Sequence, residues 1–198
     1  MLRKSSLLVA AIALMLVAPQ AHAHAAKGDV NLSVGGGVCI PVSDYKDVVK
    51  LGFLGGLDVD YFVTEAVAIG VDGMFAKNSF KDDAKTALGA TDASSTFMSG
   101  GAHIKYTFPM AAESKIMPYV IGGGGIYHDK VKIEGGAFAG EGTENKFGGH
   151  GGLGLNWKAG GKVGADIQGL FHVVSTSGTS TKFVTFRGGV YFPLTSSK

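Results

Sequence analysis

The chain has a single cysteine, Cys39, in 198 residues, so no framework of intrachain disulfides exists. A lone thiol among alternating apolar residues reads as a small packing group. Only 5 prolines occur, and no three-residue glycine repeat runs through the chain, which excludes a collagen-like fibre. Past residue 25 no stretch of 18 apolar residues exists, so a membrane-spanning helix is absent from the sequence pattern. An excess of one charge is missing too. Of the 18 basic residues, Arg3 and Lys4 lie at the very start, and the remaining 16 equal the 16 acidic ones. Composition therefore gives no argument for a nucleic-acid partner. There is no GxSxG elbow and no HExxH pair, and Gly122 to Gly125 are followed by IYHDK rather than a GK[ST] ending. No cofactor motif, metal motif or phosphate loop results.

The first 25 residues form a leader: Arg3 and Lys4, an apolar run from Leu7 to Ala18, then small residues suited to cleavage after Ala23 or Ala25. The apolar run is too short to span a bilayer comfortably. The expected organisation is a signal peptide over 1–25 and one domain over 26–198, long enough to enclose a real interior. All 32 glycines follow the leader, about 18% of that domain against an average near 7%. Many fall inside apparent strands, where curvature or close backbone approach explains them.

The clearest pattern is Leu51 to Phe75. Leu51, Phe53, Gly55, Leu57, Val59 and Tyr61 share one face, with Leu54, Asp58, Asp60 and Phe62 opposite. After the short break Val63 to Ala66 the alternation resumes, with Val67, Ile69, Val71, Gly73 and Phe75 opposing Ala68, Gly70, Asp72, Met74 and Ala76. This predicts an antiparallel hairpin. The same period places strands at about Val30 to Ile40, Ser94 to Phe108, Met117 to Tyr127, Asn145 to Trp157, Lys162 to Val174 and Lys182 to Phe192, giving eight in all. Glycines leave the faces of the fifth strand unassigned, and Phe97 and Phe183 fall on otherwise polar faces.

Each arm reaches the roughly 9 to 11 residues that cross a bilayer at a tilt, longer than the 5 to 6 of an ordinary soluble strand. The expected breaks Ser43 to Lys50, Lys77 to Ala93, His128 to Glu144 and Ser175 to Thr181 tend to be longer than those between them. Long loops on one side and short turns on the other suit a transmembrane barrel. The polar faces then point inward and form a structural charge network: Asp58, Asp60, Asp72, His103, Lys105, Lys146, His150, Asp166, Gln168, His172 and Arg187. Phe53, Tyr61, Tyr106, Phe108, Trp157 and Phe192 lie near strand ends and suit interfacial girdles.

Through GGGVCIPV, LGFLGGLDVDYFV, MPYVIGGGGIY and GGVYF, the stretch from Val30 to Phe192 resembles the small outer-membrane β-barrel proteins of the OmpA, OmpX and OmpW groups. The resemblance implies an all-β, eight-stranded, antiparallel, up-and-down transmembrane barrel in the outer membrane of a Gram-negative bacterium. It further implies contact with outer-membrane lipids and insertion by the assembly machinery, which reads an aromatic-bearing final strand, here Val190, Tyr191 and Phe192. PLTSSK after Phe192 departs from the pattern of ending on an aromatic residue.

Eight strands enclose an interior that side chains fill, which points to a noncatalytic role in structure, surface interaction through the long loops, or limited solute passage. An enzyme acting on lipid or peptide is the second reading, with His172 and Ser175, or His103, His128 and His150, as the available groups. A secreted soluble carrier is the third: alternation alone also permits the faces to be reversed around an apolar ligand. Oligomeric state is not encoded in any motif.

Overall fold

The computed structural model describes residues 25–111, 113–158, 163–176 and 179–195, so the expected leader lies outside it apart from Ala25. Eight strands follow in chain order: β1 (Val30–Val42), β2 (Gly52–Phe62), β3 (Val67–Ser79), β4 (Asp92–Thr107), β5 (Ile116–Glu134), β6 (Gly140–Lys158), β7 (Gly164–Thr176) and β8 (Thr179–Thr195). Each pairs antiparallel with the next, and β8 returns to β1 along a ladder from Val30↔Thr195 to Val42↔Lys182. The sheet is a closed up-and-down barrel, the architecture expected from the alternation.

Strand lengths differ from the sequence expectation at one end. The segment His128 to Glu144 is not a long loop: β5 and β6 run 19 residues each and are joined by 135–139. Lys130, Lys132 and Glu134 alternate with the half-buried Val131 and Ile133, a strand period that the surrounding charge and glycine obscure. Ser175 to Thr181 is likewise mostly strand, since β7 reaches Thr176 and β8 begins at Thr179. The expected alternation of connection lengths therefore fails at these two hairpins, and the extra residues lengthen the wall instead.

The other two connections at that end carry short helices, α1 (Tyr45–Val48) and α2 (Asp82–Leu88). In α2, Ala84 and Leu88 lie one turn apart and pack against a buried cluster of Val49, Phe80 and Ala93, on which Val131 and Ile133 of β5 also pack. Seven residues make a marginal helix alone, so this packing holds it. Gly89 closes it at φ 63°, the left-handed cap that glycine adopts without strain.

Parity decides the two faces. Val34, Leu57, Ile69, Val71, Ile104, Leu153, Ile167 and Val190 are exposed on the outside. On β5, Tyr119, Ile121 and Tyr127 point inward, which settles the strand whose faces were unassigned. Phe97 and Phe183 are buried inside as well. Their rings stack at 5.2 Å between centroids and join Cys39, Leu54, Ala76, Tyr127 and Val174 in an apolar layer near the helix-capped end. A narrow lumen needs bulk, so aromatic residues at polar-face positions serve as filler.

That bulk requires missing side chains opposite. Gly154 stands directly across from Tyr119, and Gly164 across from Tyr191. A Cβ at Gly154 would run into the Tyr119 phenol and come within 2.6 Å of the Ile167 carbonyl oxygen. Gly154→Ala is expected to destabilise the folded barrel by about 1–3 kcal/mol through overpacking. Gly100→Ala, where an added Cβ meets nothing within 4 Å, should stay within about 0.5 kcal/mol of the parent. Urea titration of the barrel in lipid vesicles, read by heat-modifiable gel migration, measures both.

Candidate functional site

The lumen below the apolar layer holds two linked ion networks. In the first, Arg187 on β8 donates through Nη1 to Asp58 Oδ1 at 3.2 Å, through Nη2 to the other Asp58 oxygen, and through Nη2 to Asp166 Oδ1 at 3.3 Å. Asp166 also accepts the Tyr119 hydroxyl proton at 2.8 Å, and Gln168 donates to that hydroxyl oxygen at 3.3 Å. In the second, His103 on β4 sits between Asp60 (Nε2 to Oδ1, 2.8 Å) and Asp72 (Nδ1 to Oδ1, 3.1 Å), and Lys105 donates to the second Asp60 oxygen. Both ring nitrogens of His103 are thus within hydrogen-bond distance of a carboxylate oxygen. The Lys105 ammonium also lies 4.6 Å from the centre of the Tyr119 ring, tying the two networks together.

Above them, the Tyr127 hydroxyl bonds His172 Nδ1 at 3.0 Å and lies 3.5 Å from His150 Nδ1; His172 Nε2 meets Thr185 Oγ1 at 3.0 Å. His150 Nε2 stands 3.6 Å from Asp72. The stacked rings of His172 and Phe183, 4.6 Å apart, join this tier to the apolar layer. Lys146 is separate from these groups. It lies higher on β6 and pairs with Asp129 at 2.9 Å and Glu144 at 3.1 Å. Among the described residues a cavity of about 30 Å³ lies in the lumen, lined by residues that include Asp58, Asp72, His150 and Arg187. That volume suits about one water molecule.

These positions bear on the catalytic candidates. His172 faces the lumen while Ser175, three residues on, is exposed on the opposite face of β7, so the two are not brought together. His128 bonds Asn145 at 2.9 Å on the surface. Among the described residues no group of three or more His, Cys, Asp or Glu side chains is placed to hold a metal ion. At the end of the chain Val190 points outward, Tyr191 is buried over Gly164, and Phe192 is half-buried opposite Leu32. The Arg187 partners and the roles of Tyr119 and Tyr127 escaped the sequence reading. They depend on which strands face one another across the lumen.

Over residues 9–192 the chain matches the model of the outer membrane protein β-barrel domain family. It belongs to that family. This outer membrane barrel is located in the outer membrane of Gram-negative bacteria, with its aliphatic face in hydrocarbon. Among solved structures it is similar to neisserial surface protein A (NspA), at 13% identity and a TM-score of 0.64 over 83% of this chain and 97% of NspA. It is also similar to Ail of Yersinia pestis in complex with the heparin analogue sucrose octasulfate, at 15% identity and 0.55 over 84% and 99%. A third is OprG of Pseudomonas aeruginosa, at 14% and 0.52 over 85% and 97%. No curated protein matches the sequence. Barrels of this class contact outer-membrane lipids and the assembly machinery. By the pattern of such barrels, the start of β1, the end of β8 and the short turn 63–66 lie at the periplasmic end, and the helices and long hairpins at the cell exterior.

Outside the membrane, ion pairs fasten the cap. Lys50 holds both oxygens of Asp82 at 3.0 and 2.9 Å, and Lys85 reaches Asp92 at 3.2 Å. The Lys50 hydrogen bonds and charge hold the Asp82 carboxyl below its ordinary range, and the Lys85 hydrogen bond does the same for Asp92. A depressed carboxyl contributes its stability above the unfolded value near 3.9 and loses it as pH falls further. Amide exchange of α2, corrected for intrinsic rate, is therefore expected to rise below about pH 4 while the barrel stays folded. Inside, Arg187→Leu strands Asp58 and part of Asp166, and a loss of about 3–5 kcal/mol is expected in urea titrations. Unchanged unfolding would show that the guanidinium is dispensable.

Proposed function

We propose that this barrel is noncatalytic, that its lumen is a packed structural core, and that its work is done on the exterior surface. The observation carrying this reading is the lumen itself. Among the described residues, the apolar layer, the ion networks and Phe62, Met117 and Tyr191 are buried inside, and the cavity between Asp58, Asp72, His150 and Arg187 measures about 30 Å³. Eight strands leave an interior about wide enough for side chains. Such a lumen supports neither a wide aqueous channel nor a carrier cavity for an apolar ligand. In the same reading Asp58, Asp60, Asp72, His103, Lys105, Lys146, His150, Asp166, His172 and Arg187 have structural roles, and Val190, Tyr191 and Phe192 form the assembly signal in the final strand.

The exterior favours recognition by a fixed surface. A strand of roughly 9–11 residues crosses the bilayer, so much of the 19-residue β5 and β6 stands beyond it. Phe138 is exposed at their connection. Ail has been solved with a heparin analogue. Five lysines at this end, Lys50, Lys85, Lys130, Lys132 and Lys146, each pair with a carboxylate, which favours a different kind of partner. A polyanion would have to displace those pairs.

The purified barrel in planar bilayers is expected to give no sustained conductance steps, and to pass a heparin column without salt-dependent retention. Discrete steps would turn the reading toward solute passage, and retention toward a polyanionic partner.

A further inference from the structure

The membrane-facing wall is not uniform. Between β2 and β5 it carries an apolar groove of about 710 Å³, walled by Tyr61, Ile69, Val71 and Ile104 and floored by Ala102 and Gly122. Register explains the hollow. Tyr61, Ile69, Ile104 and Gly122 lie side by side on four consecutive strands, and Val59, Val71, Ala102 and Gly124 form the next row. Each row begins with large side chains and ends in almost none, one strand earlier in the second row than in the first. The wall therefore steps down along a diagonal.

We propose that this groove seats one acyl chain of a phospholipid from the periplasmic leaflet. Bulk lipid is as apolar as the wall, so the seat is held by van der Waals fit rather than by the hydrophobic effect. Depth selects the leaflet. Tyr61 is the penultimate residue of β2, beside the periplasmic turn 63–66, and Tyr106 lies near the same end of β4. Tyrosines at that level suit the headgroup region. A chain entering past them runs toward the bilayer centre along Ile104, Ala102 and Gly122. A second copy of the barrel is a poorer occupant: the groove involves ten residues, whereas a stable protein interface takes about 20–30 a side.

Gly122→Leu fills the groove from its floor. The nearest heavy atom to an added Cβ there is the His150 carbonyl oxygen at 3.9 Å, so the backbone need not move. Gly188→Leu adds the same side chain to the outside of β8, where nothing lies within 4 Å of a Cβ, away from the groove. Native mass spectrometry of each detergent-purified, heat-modifiable barrel, titrated with dipalmitoyl phosphatidylethanolamine and separately with lipid A, reads the occupant. The parent and Gly188→Leu are expected to hold one phosphatidylethanolamine, and Gly122→Leu to hold it at least about tenfold more weakly. If Gly122→Leu does not fold, Ala102→Leu takes its place. Equal retention by the filled variant overturns the proposal. So does equal or tighter binding of lipid A, or a dimer that the filled variant abolishes.

Discussion

A sheet in hydrocarbon has no water to satisfy an open edge, and each backbone group left unpaired there costs several kcal/mol. The pairing of β1 with β8, thirteen partners from Val30↔Thr195 to Val42↔Lys182, is the contact on which the rest depends. Once it forms, every strand has two neighbours within the membrane and the aliphatic faces can meet lipid. Closure with eight strands also fixes a narrow lumen, and that in turn decides what the inward side chains must do.

They must fill space and neutralise one another. Phe97, Phe183, Tyr119, Tyr127 and Tyr191 supply bulk, and glycines such as Gly154 and Gly164 give it room. Four carboxylates, Asp58, Asp60, Asp72 and Asp166, face Arg187, Lys105 and His103. A buried charge without a partner is costly, and each of these carboxylates has a basic group within hydrogen-bond distance.

The cap follows a different logic. It stands in water, so its backbone has alternatives and its segments need packing to be ordered. Tyr45 links it to the lumen: its ring meets Phe97 edge-on at 6.0 Å, and its hydroxyl donates to Ser95 Oγ at 3.0 Å. The apolar layer inside the barrel and the small cluster beneath α2 are thus continuous, and the exterior surface inherits the rigidity of the wall.

Period-two alternation over eight segments was enough to reveal the barrel, its strand order and the residue types of each face, because a strand repeats every two residues whatever its neighbours are. The sequence also determined that Asp58 and Arg187 share the polar side of the wall. It did not determine that they meet. That pairing, 129 positions apart, arises from closure and register, which bring β2 and β8 within reach across β1. The same holds for Phe97 and Phe183, which break the local pattern and gain a reason only when curvature creates a volume to fill. The strand tops of β5 and β6 were hidden for the opposite reason. On β5 the alternation is intact but lies among charges, and Val131 and Ile133 pack onto the cap; the top of β6, GEGTEN, is exposed throughout and is strand through its pairing with β5.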